Sequence, residues 1–514
     1  MAEPPRVDDH RQMHRRSGAL TAALMMLGSS YCDMLFGVVR GIVVMNLLGP
    51  TGRGIMRLVA MAHKYLTHAH LGILHGVSKE LPQALGRKDF EKADEIESVG
   101  ATYVTLSGIV GGAGMLLFGC LSNYGPSTKA ALMAGGGILV TLQSYAFYRT
   151  VIRAWGLFPV LAGASVVNTV SEFVLILLGA RYFHIMGAML GWLLADIISI
   201  LYFRFASRLV VPVCFDWRVA VRLALTGLPI ALIIFSETLL RTIDGIIVVA
   251  HYSAYRFGLY SVAMQMATYL TSIPSAAGFV IMPRIIESYA ANGDLARVRR
   301  QIMVPTIASA TLMPALAGCA FIMLPPAIRT VVPKFEGCIF AAQVLSLASV
   351  FLSLPVAANG LLIAINRELL VVMNNALGAG VIYFAAGWQA RHGGSLRDVA
   401  VATSVGYLLS GLLSVVQVLG RYHASKWELL WQVAMSYIPF GWGLLALRLS
   451  GWLTHSPADP LGSDWCRALI RLVLFMVMMV PVLLYGNSRT GLFGELKRAA
   501  QKFARRNGNN SPAK

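Results

Sequence analysis

Apolar runs separated by short polar breaks occupy the chain from residue 18 to residue 486. Each is about 18 residues or longer, enough for a helix to cross a hydrocarbon core of about 30 Å. The pattern predicts fourteen helices: 18–48, 53–80, 96–121, 129–149, 154–179, 187–205, 223–250, 257–282, 303–326, 338–364, 368–389, 398–420, 429–449 and 466–486. The first run follows Arg15 and Arg16 but continues to Leu48 without a small-residue cleavage site, so it reads as an uncleaved first crossing rather than a signal peptide. The connections are short. The longest on the side opposite the N-terminus, from Ser450 to Trp465, is too small for a folded domain.

Composition agrees with a lipid solvent: 56% of the 514 residues are hydrophobic and 13% charged, against roughly a quarter charged in ordinary globular chains. Of the 43 Lys and Arg, about 28 fall on the side of the N-terminus, about 10 on the other and about 5 within helices. By the positive-inside rule both termini are then cytoplasmic. The net charge of +19 is explained by topology and not by nucleic acid binding, because the basic residues form short clusters between apolar helices. The C-terminal Lys497, Arg498, Lys502, Arg505 and Arg506 suit a basic segment lying on anionic lipid. The six cysteines show no metal or redox spacing.

The two halves share landmarks. Gly52-Arg53-Gly54 follows the first helix and Arg256-Phe257-Gly258 the seventh; the next helices end near Pro82 and Pro283, with the polar turns Gly86-Arg87-Lys88-Asp89 and Asn292-Gly293-Asp294 beyond them. The offset is about 200 residues, and six intervening helices give both halves the same orientation. The expected architecture is all-α: a tail at 1–17, an N-lobe at 18–215, a C-lobe at 216–428, two further helices at 429–486 and a basic tail at 487–514. A pseudo-twofold axis along the membrane normal would relate the six-helix lobes.

With Leu48-Gly49-Pro50-Thr51-Gly52-Arg53-Gly54, Gly227-Leu228-Pro229, Asp244, Gly258-Leu259-Tyr260-Ser261-Val262-Ala263 and Met282-Pro283-Arg284 in this order, residues 18–428 resemble the polysaccharide and O-antigen flippases of the multidrug/oligosaccharidyl-lipid/polysaccharide (MOP) exporter superfamily. The resemblance implies two lobes rocking around a charged central cavity in a bacterial cytoplasmic membrane. It also implies a polyprenyl-pyrophosphate-linked glycan as cargo, with membrane lipids and polysaccharide polymerase machinery as partners. Fourteen helices are more typical of the peptidoglycan-precursor flippases of the superfamily than of its twelve-helix members.

Ionisable side chains inside membrane helices cost at least about 2.5 kcal/mol near the centre, so they face a cavity or a partner. Arg40, Arg57, Lys64 and Arg241 lie within predicted helices, and Arg53 at the mouth of the second. Steps of four and seven residues put Arg53, Arg57 and Lys64 on one helix face, where a pyrophosphate would find charge-assisted donors; snorkelling of Arg53 and Arg57 to the interface is the plainer alternative. Asp33 precedes Arg40 by one heptad and Asp244 follows Arg241 by one turn, which suits ion pairs or proton or sodium coupling. His63, His68, His70 and His75 suggest a metal, but on a straight helix the heptad-spaced pairs would be about 10.5 Å apart; cavity lining or a proton relay fits them better than a zinc site. Gly108 to Gly112 and Gly135-Gly136-Gly137 suit close helix packing, while Pro274 and Pro355 suit kinks or hinges.

No cofactor or metal and no catalytic residue is expected, and the chain has no phosphate-binding Gly-x-x-x-x-Gly-Lys-Ser/Thr loop for ATP. A membrane enzyme acting on lipid-linked sugar would need a larger outer loop, and a cation-extruding antiporter would want a more acidic interior than these basic helices offer.

Overall fold

The computed structural model describes residues 19–207, 212–292, 295–422, 425–454 and 462–491. The N-terminal tail with Arg15 and Arg16, the Gly293-Asp294 turn and the basic residues 497–506 lie outside the described residues. All regular structure among the described residues is helical: α1 (Ala19–Leu66), α2 (Ile73–Gly86), α3 (Phe90–Leu121), α4 (Pro126–Ala154), α5 (Phe158–Ser207), α6 (Trp217–His251), α7 (Ala254–Asn292), α8 (Leu295–Val331), α9 (Ile339–Ser353), α10 (Val356–Ala364), α11 (Glu368–Arg391), α12 (Leu396–Leu419), α13 (Lys426–Leu453) and α14 (Gly462–Thr490). Eleven helical runs among them are long and apolar enough to cross a bilayer. The 48 residues of α1 and the 50 of α5 are each about twice what one crossing needs, so each holds two. With α7, these runs account for the fourteen expected crossings.

Local chemistry sets the joints. In α1 the helix breaks at Gly49, with φ 65° and ψ −174°, directly before Pro50; proline lacks a donor and bars helical geometry from its predecessor, and glycine accepts the left-handed φ. In α5 the break falls at Phe183 and His184, the latter at φ 51°. Asp89 caps α3 by accepting from the Lys92 amide at 3.2 Å, Pro126 opens α4, and Ser395 and Asp398 close a capping box on α12.

Two expected crossings are interrupted. The second, read as a continuous 53–80, leaves the α-helix after Leu66, passes through a 3-10 turn (Thr67–His70) and two left-handed residues, Leu71 (φ 48°) and Gly72 (φ 93°), and resumes at Ile73. The tenth, read as 338–364, turns at Leu354 and Pro355 between α9 and α10. Pro274 lies inside α7, which runs on without a break.

The chain divides into two compact units: residues 1–238 with 253–258, and residues 239–252 with 259–514, the division falling inside α6. In the first unit one apolar core joins α2, α3, α4, α5 and α6 around Leu81, Ile96, Phe147 and Phe203, and a second joins α1 to α4 and α5 around Val59 and Ile138. In the second unit α8 packs on α9 and on α14, with Phe475 fully buried against Ala315 and Ile322.

The small-residue runs are packing surfaces. A Cβ on Gly112 would lie 2.5 Å from the Gly136 carbonyl oxygen, and one on Gly108 3.2 Å from Gln143 Cβ, so α3 and α4 approach at glycine distance. The glycine landmarks of the repeat also meet: Gly54 abuts the Ala254 carbonyl and Gly258 the Pro50 carbonyl, with no room for a methyl group at either.

Gly112→Ala is therefore expected to destabilise the protein by about 1–3 kcal/mol. This would be read as a lower unfolding temperature in detergent, while Gly114→Ala, with nothing within 4 Å of its Cβ, leaves that temperature unchanged or raised.

Candidate functional site

The break in the second crossing is held together by polar groups that the bilayer cannot supply. The Gln143 side chain donates from Nε2 to the Thr67 carbonyl at 3.1 Å, the Gly72 amide donates to His70 Nδ1 at 3.1 Å, and the Leu71 amide donates to the His68 carbonyl at 2.9 Å. Gly72 lies flush against the backbone of Gly227 and Leu228 on α6, which gives the Gly227-Leu228-Pro229 motif its local reason. The break also brings the His70 and His75 rings, five residues apart in sequence, to 5.5 Å. His63 lies elsewhere, 2.7 Å from the Gly135 carbonyl and edge-on to Trp192, and His68 is edge-on to Phe235. Among the described residues no three His, Cys, Asp or Glu side chains are grouped to hold a metal ion.

The basic face of 50–66 lies wholly on the intact second arm of α1, so Arg53, Arg57 and Lys64 keep their common helix face. Arg53 and Arg57 are half-buried and Lys64 is exposed.

Arg40 is engaged differently from the sequence expectation. Its guanidinium Nη1 is paired with Glu172 Oε2 on α5, whereas Asp33 accepts a 3.1 Å hydrogen bond from the Thr169 hydroxyl. Glu172 and Thr169 are one helical turn apart, so α5 presents an acid and a hydroxyl to the first arm of α1 at matching heights. Asp196, on the second arm of α5, is 2% exposed and accepts from the Thr141 hydroxyl at 3.2 Å. Glu172 lies within electrostatic reach of both Asp33 and Asp196. Glu172 thus feels the Arg40 guanidinium and two further carboxylates, and Arg149 lies over the Tyr145 ring at 5.7 Å. The reading of the sequence had missed Glu172 and Asp196, although a lone acid in an apolar run is the same signal that marked Asp33.

In the second unit Asp244 is completely buried. It accepts from the Tyr260 hydroxyl at 2.7 Å, the Thr403 hydroxyl at 3.5 Å and the Gly245 amide at 2.8 Å. Arg241, one turn earlier on α6, donates from Nη1 to the Thr271 hydroxyl at 3.1 Å. Beside this cluster α11 and α12 are tied by Asn374, which donates to Ser414 at 3.0 Å and exchanges hydrogen bonds with Gln417 at 2.9 and 3.0 Å. Each unit therefore carries carboxylates inside its helices, Glu172 and Asp196 on α5 with Arg40 across on α1 in the first, and Asp244 with Arg241 one turn earlier on α6 in the second.

A family model described as polysaccharide biosynthesis protein matches residues 81–338, half of the chain. No curated protein matches it in sequence. Among solved structures, the lipid II flippase MurJ in an inward closed conformation has a TM-score of 0.65 at 11% identity, covering 89% of this chain and 98% of that one. An inward-facing multidrug resistance MATE family transporter of the MOP superfamily has a TM-score of 0.61 at 14% identity, covering 81% and 95%. A MOP superfamily transporter from Pyrococcus furiosus, described as having a binding pocket of reverse polarity, has a TM-score of 0.55 at 14% identity, covering 86% and 99%. At these identities the likeness is one of fold.

Truncation of Arg40 to alanine strands Glu172 beside two other acids and is expected to cost about 2–3 kcal/mol of stability. In a double-mutant cycle followed by thermal unfolding in detergent, adding Glu172→Ala should restore most of that loss; additive losses would mean that the pair is not coupled.

Proposed function

Because the chain belongs to the polysaccharide biosynthesis protein family and shares the all-helical fold of MOP superfamily transporters, we propose that it is a flippase. On this reading it carries a polyprenyl-pyrophosphate-linked oligosaccharide across a bacterial cytoplasmic membrane by alternating access, with both termini in the cytoplasm. Transport, not bond chemistry, is its work.

The observation that carries this reading is the basic face of α1. Arg53, Arg57 and Lys64 lie along one side of a helix that composition places in the membrane, where cations face a partner or a cavity. A pyrophosphate diester supplies the complementary charge, and guanidinium groups bind its oxygens in bidentate fashion. Arg40 supplies a further cation for the head group after release from Glu172, and Arg241 is the substrate-binding cation proposed for the second unit.

The carboxylates take the second role. Asp33, Glu172 and Asp196 in one unit and Asp244 in the other are the proposed sites for a proton or sodium ion, the energy source in a chain with no ATP-binding loop. When Arg40 turns from Glu172 to an anionic cargo, the carboxylate left behind needs a proton or a cation. Cargo binding and ion uptake are then linked through one side chain. The same acids favour a cation exporter as the second reading, and the MurJ-like fold keeps a peptidoglycan precursor among the candidate cargoes.

In proteoliposomes, a fluorescent polyprenyl-pyrophosphate oligosaccharide should be translocated by the wild type. Arg40→Ala, Arg57→Ala and Lys64→Ala should each slow transport at least about tenfold, with membrane insertion intact. Equal movement of a neutral-headgroup analogue, or unaltered rates in all three variants, would overturn the proposal. Export of an organic cation without lipid movement would establish the second reading.

A further inference from the structure

Arg471 is an intramembrane arginine that the charge pairs described above leave unaccounted for. It lies in α14 two turns inside the helix start, in a segment apolar enough to span the bilayer, and among the described residues it has no carboxylate partner. Its Nη2 donates to the backbone carbonyl of Leu447 on α13 at 3.1 Å, its guanidinium faces the Phe321 ring at 5.7 Å, and its Nε is buried without a hydrogen-bond partner. The guanidinium therefore points across to the neighbouring helix and not up to the interface, as a snorkelling side chain would. Gly451 makes the space: a Cβ there would lie 3.0 Å from Arg471 Nη2.

Two neighbouring arginines are held by carboxylates. Arg329 is tied to Glu336 at 2.8 Å and to Asp464 at 2.9 Å, and Arg467 reaches the same Asp464 at 3.9 Å. Arg448, exposed on α13 one turn from Gly451, has no carboxylate partner among the described residues. Arg448 and Arg471 thus lie without a carboxylate partner among the described residues on the side that the charge count assigns to the exterior, where the positive-inside rule disfavours Lys and Arg. Around them α13 and α14 expose Leu445, Leu449, Ile470 and Val473, the faces that acyl chains cover.

We propose that Arg448 and Arg471, with Gly451 as the floor between them, form a binding site for the phosphate of an anionic phospholipid of the surrounding bilayer. The singly charged phosphodiester presents one non-bridging oxygen to the Arg471 guanidinium and the other to Arg448 in charge-assisted hydrogen bonds, and the acyl chains lie along α13 and α14. The apolar rim selects a lipid over a free anion. Bilayer phospholipid is the phosphate-bearing molecule that such a rim touches at all times.

The test is lipid retention by the full-length protein in detergent, read by native mass spectrometry, with phosphatidylglycerol against phosphatidylcholine. Phosphatidylglycerol should be retained about tenfold more tightly, the worth of one charge-assisted hydrogen bond. Arg448→Gln and Arg471→Gln should each abolish the preference. Gly451→Val, which keeps both charges but fills the floor, should weaken it, and Arg448→Gln, on an exposed position, guards against misfolding as the cause. Equal retention of both lipids, or an unchanged preference in the Arg448 and Arg471 variants, overturns the proposal. Displacement by millimolar inorganic phosphate would make it a free-anion site, and displacement by polyprenyl pyrophosphate at tenfold lower concentration than phosphatidylglycerol would make it a cargo site; either result also overturns it.

Discussion

Hydrocarbon offers a peptide group no hydrogen-bond partner, so every amide and carbonyl that leaves the helical ladder must be satisfied by the protein itself. The joints of this chain are arranged around that constraint. At the interrupted second crossing the Thr67 carbonyl takes the Gln143 amide and the Gly72 amide takes His70 Nδ1, so α4 must lie alongside the break and the histidine must stay neutral at the accepting nitrogen. Gly72 and Gly227 permit backbone contact with α6 at the same height. Replacing either glycine would force apart elements whose hydrogen bonds depend on the contact.

The same solvent treats charge more severely than it treats amides. Arg40 with Glu172, Asp196 with Thr141, and Asp244 with Tyr260 and Thr403 are each resolved within one compact unit, between helices distant in sequence. Such pairs rarely add net stability over an apolar core, but losing one partner is costly, so they fix which helix faces meet. The uncharged ladder of Asn374, Ser414 and Gln417 does this for α11 and α12 at lower cost.

The fourteen crossings were legible because run length and hydropathy are local properties, and the Gly49-Pro50 joint was legible because proline acts on its immediate neighbour. The break at 67–72 was not. Its sequence, Thr-His-Ala-His-Leu-Gly, contains one glycine and no proline, and the residues that stabilise it, Gln143 and Gly227, lie 76 and 155 residues away from Thr67 and Gly72. For that reason the approach of the His70 and His75 rings across the break could not be read from helical spacing. For Arg40 a partner was sought along the same helix at Asp33; Glu172 is 132 positions away, beyond any periodicity. Glu172, Asp196 and Arg471 were within reach of the rule that found Arg40, since each is a lone ionisable residue in an apolar run.

The Arg40–Glu172 pair bears on how such a chain could do work without a nucleotide. Removing one member of this partly buried pair costs on the order of 2–3 kcal/mol, several times thermal energy, so an anionic cargo would not draw Arg40 away cheaply while Glu172 stays charged near Asp33 and Asp196. Neutralising the carboxylate lowers that cost and leaves the guanidinium available for phosphate oxygens. Each event makes the other more favourable, and linkage requires the coupling to be reciprocal: a bound anion raises the affinity for the proton or cation as much as the proton or cation raises the affinity for the anion. An inward ion gradient acting on one carboxylate would then bias which side of the membrane releases the cargo, with no reaction beyond the exchange of partners around a single guanidinium.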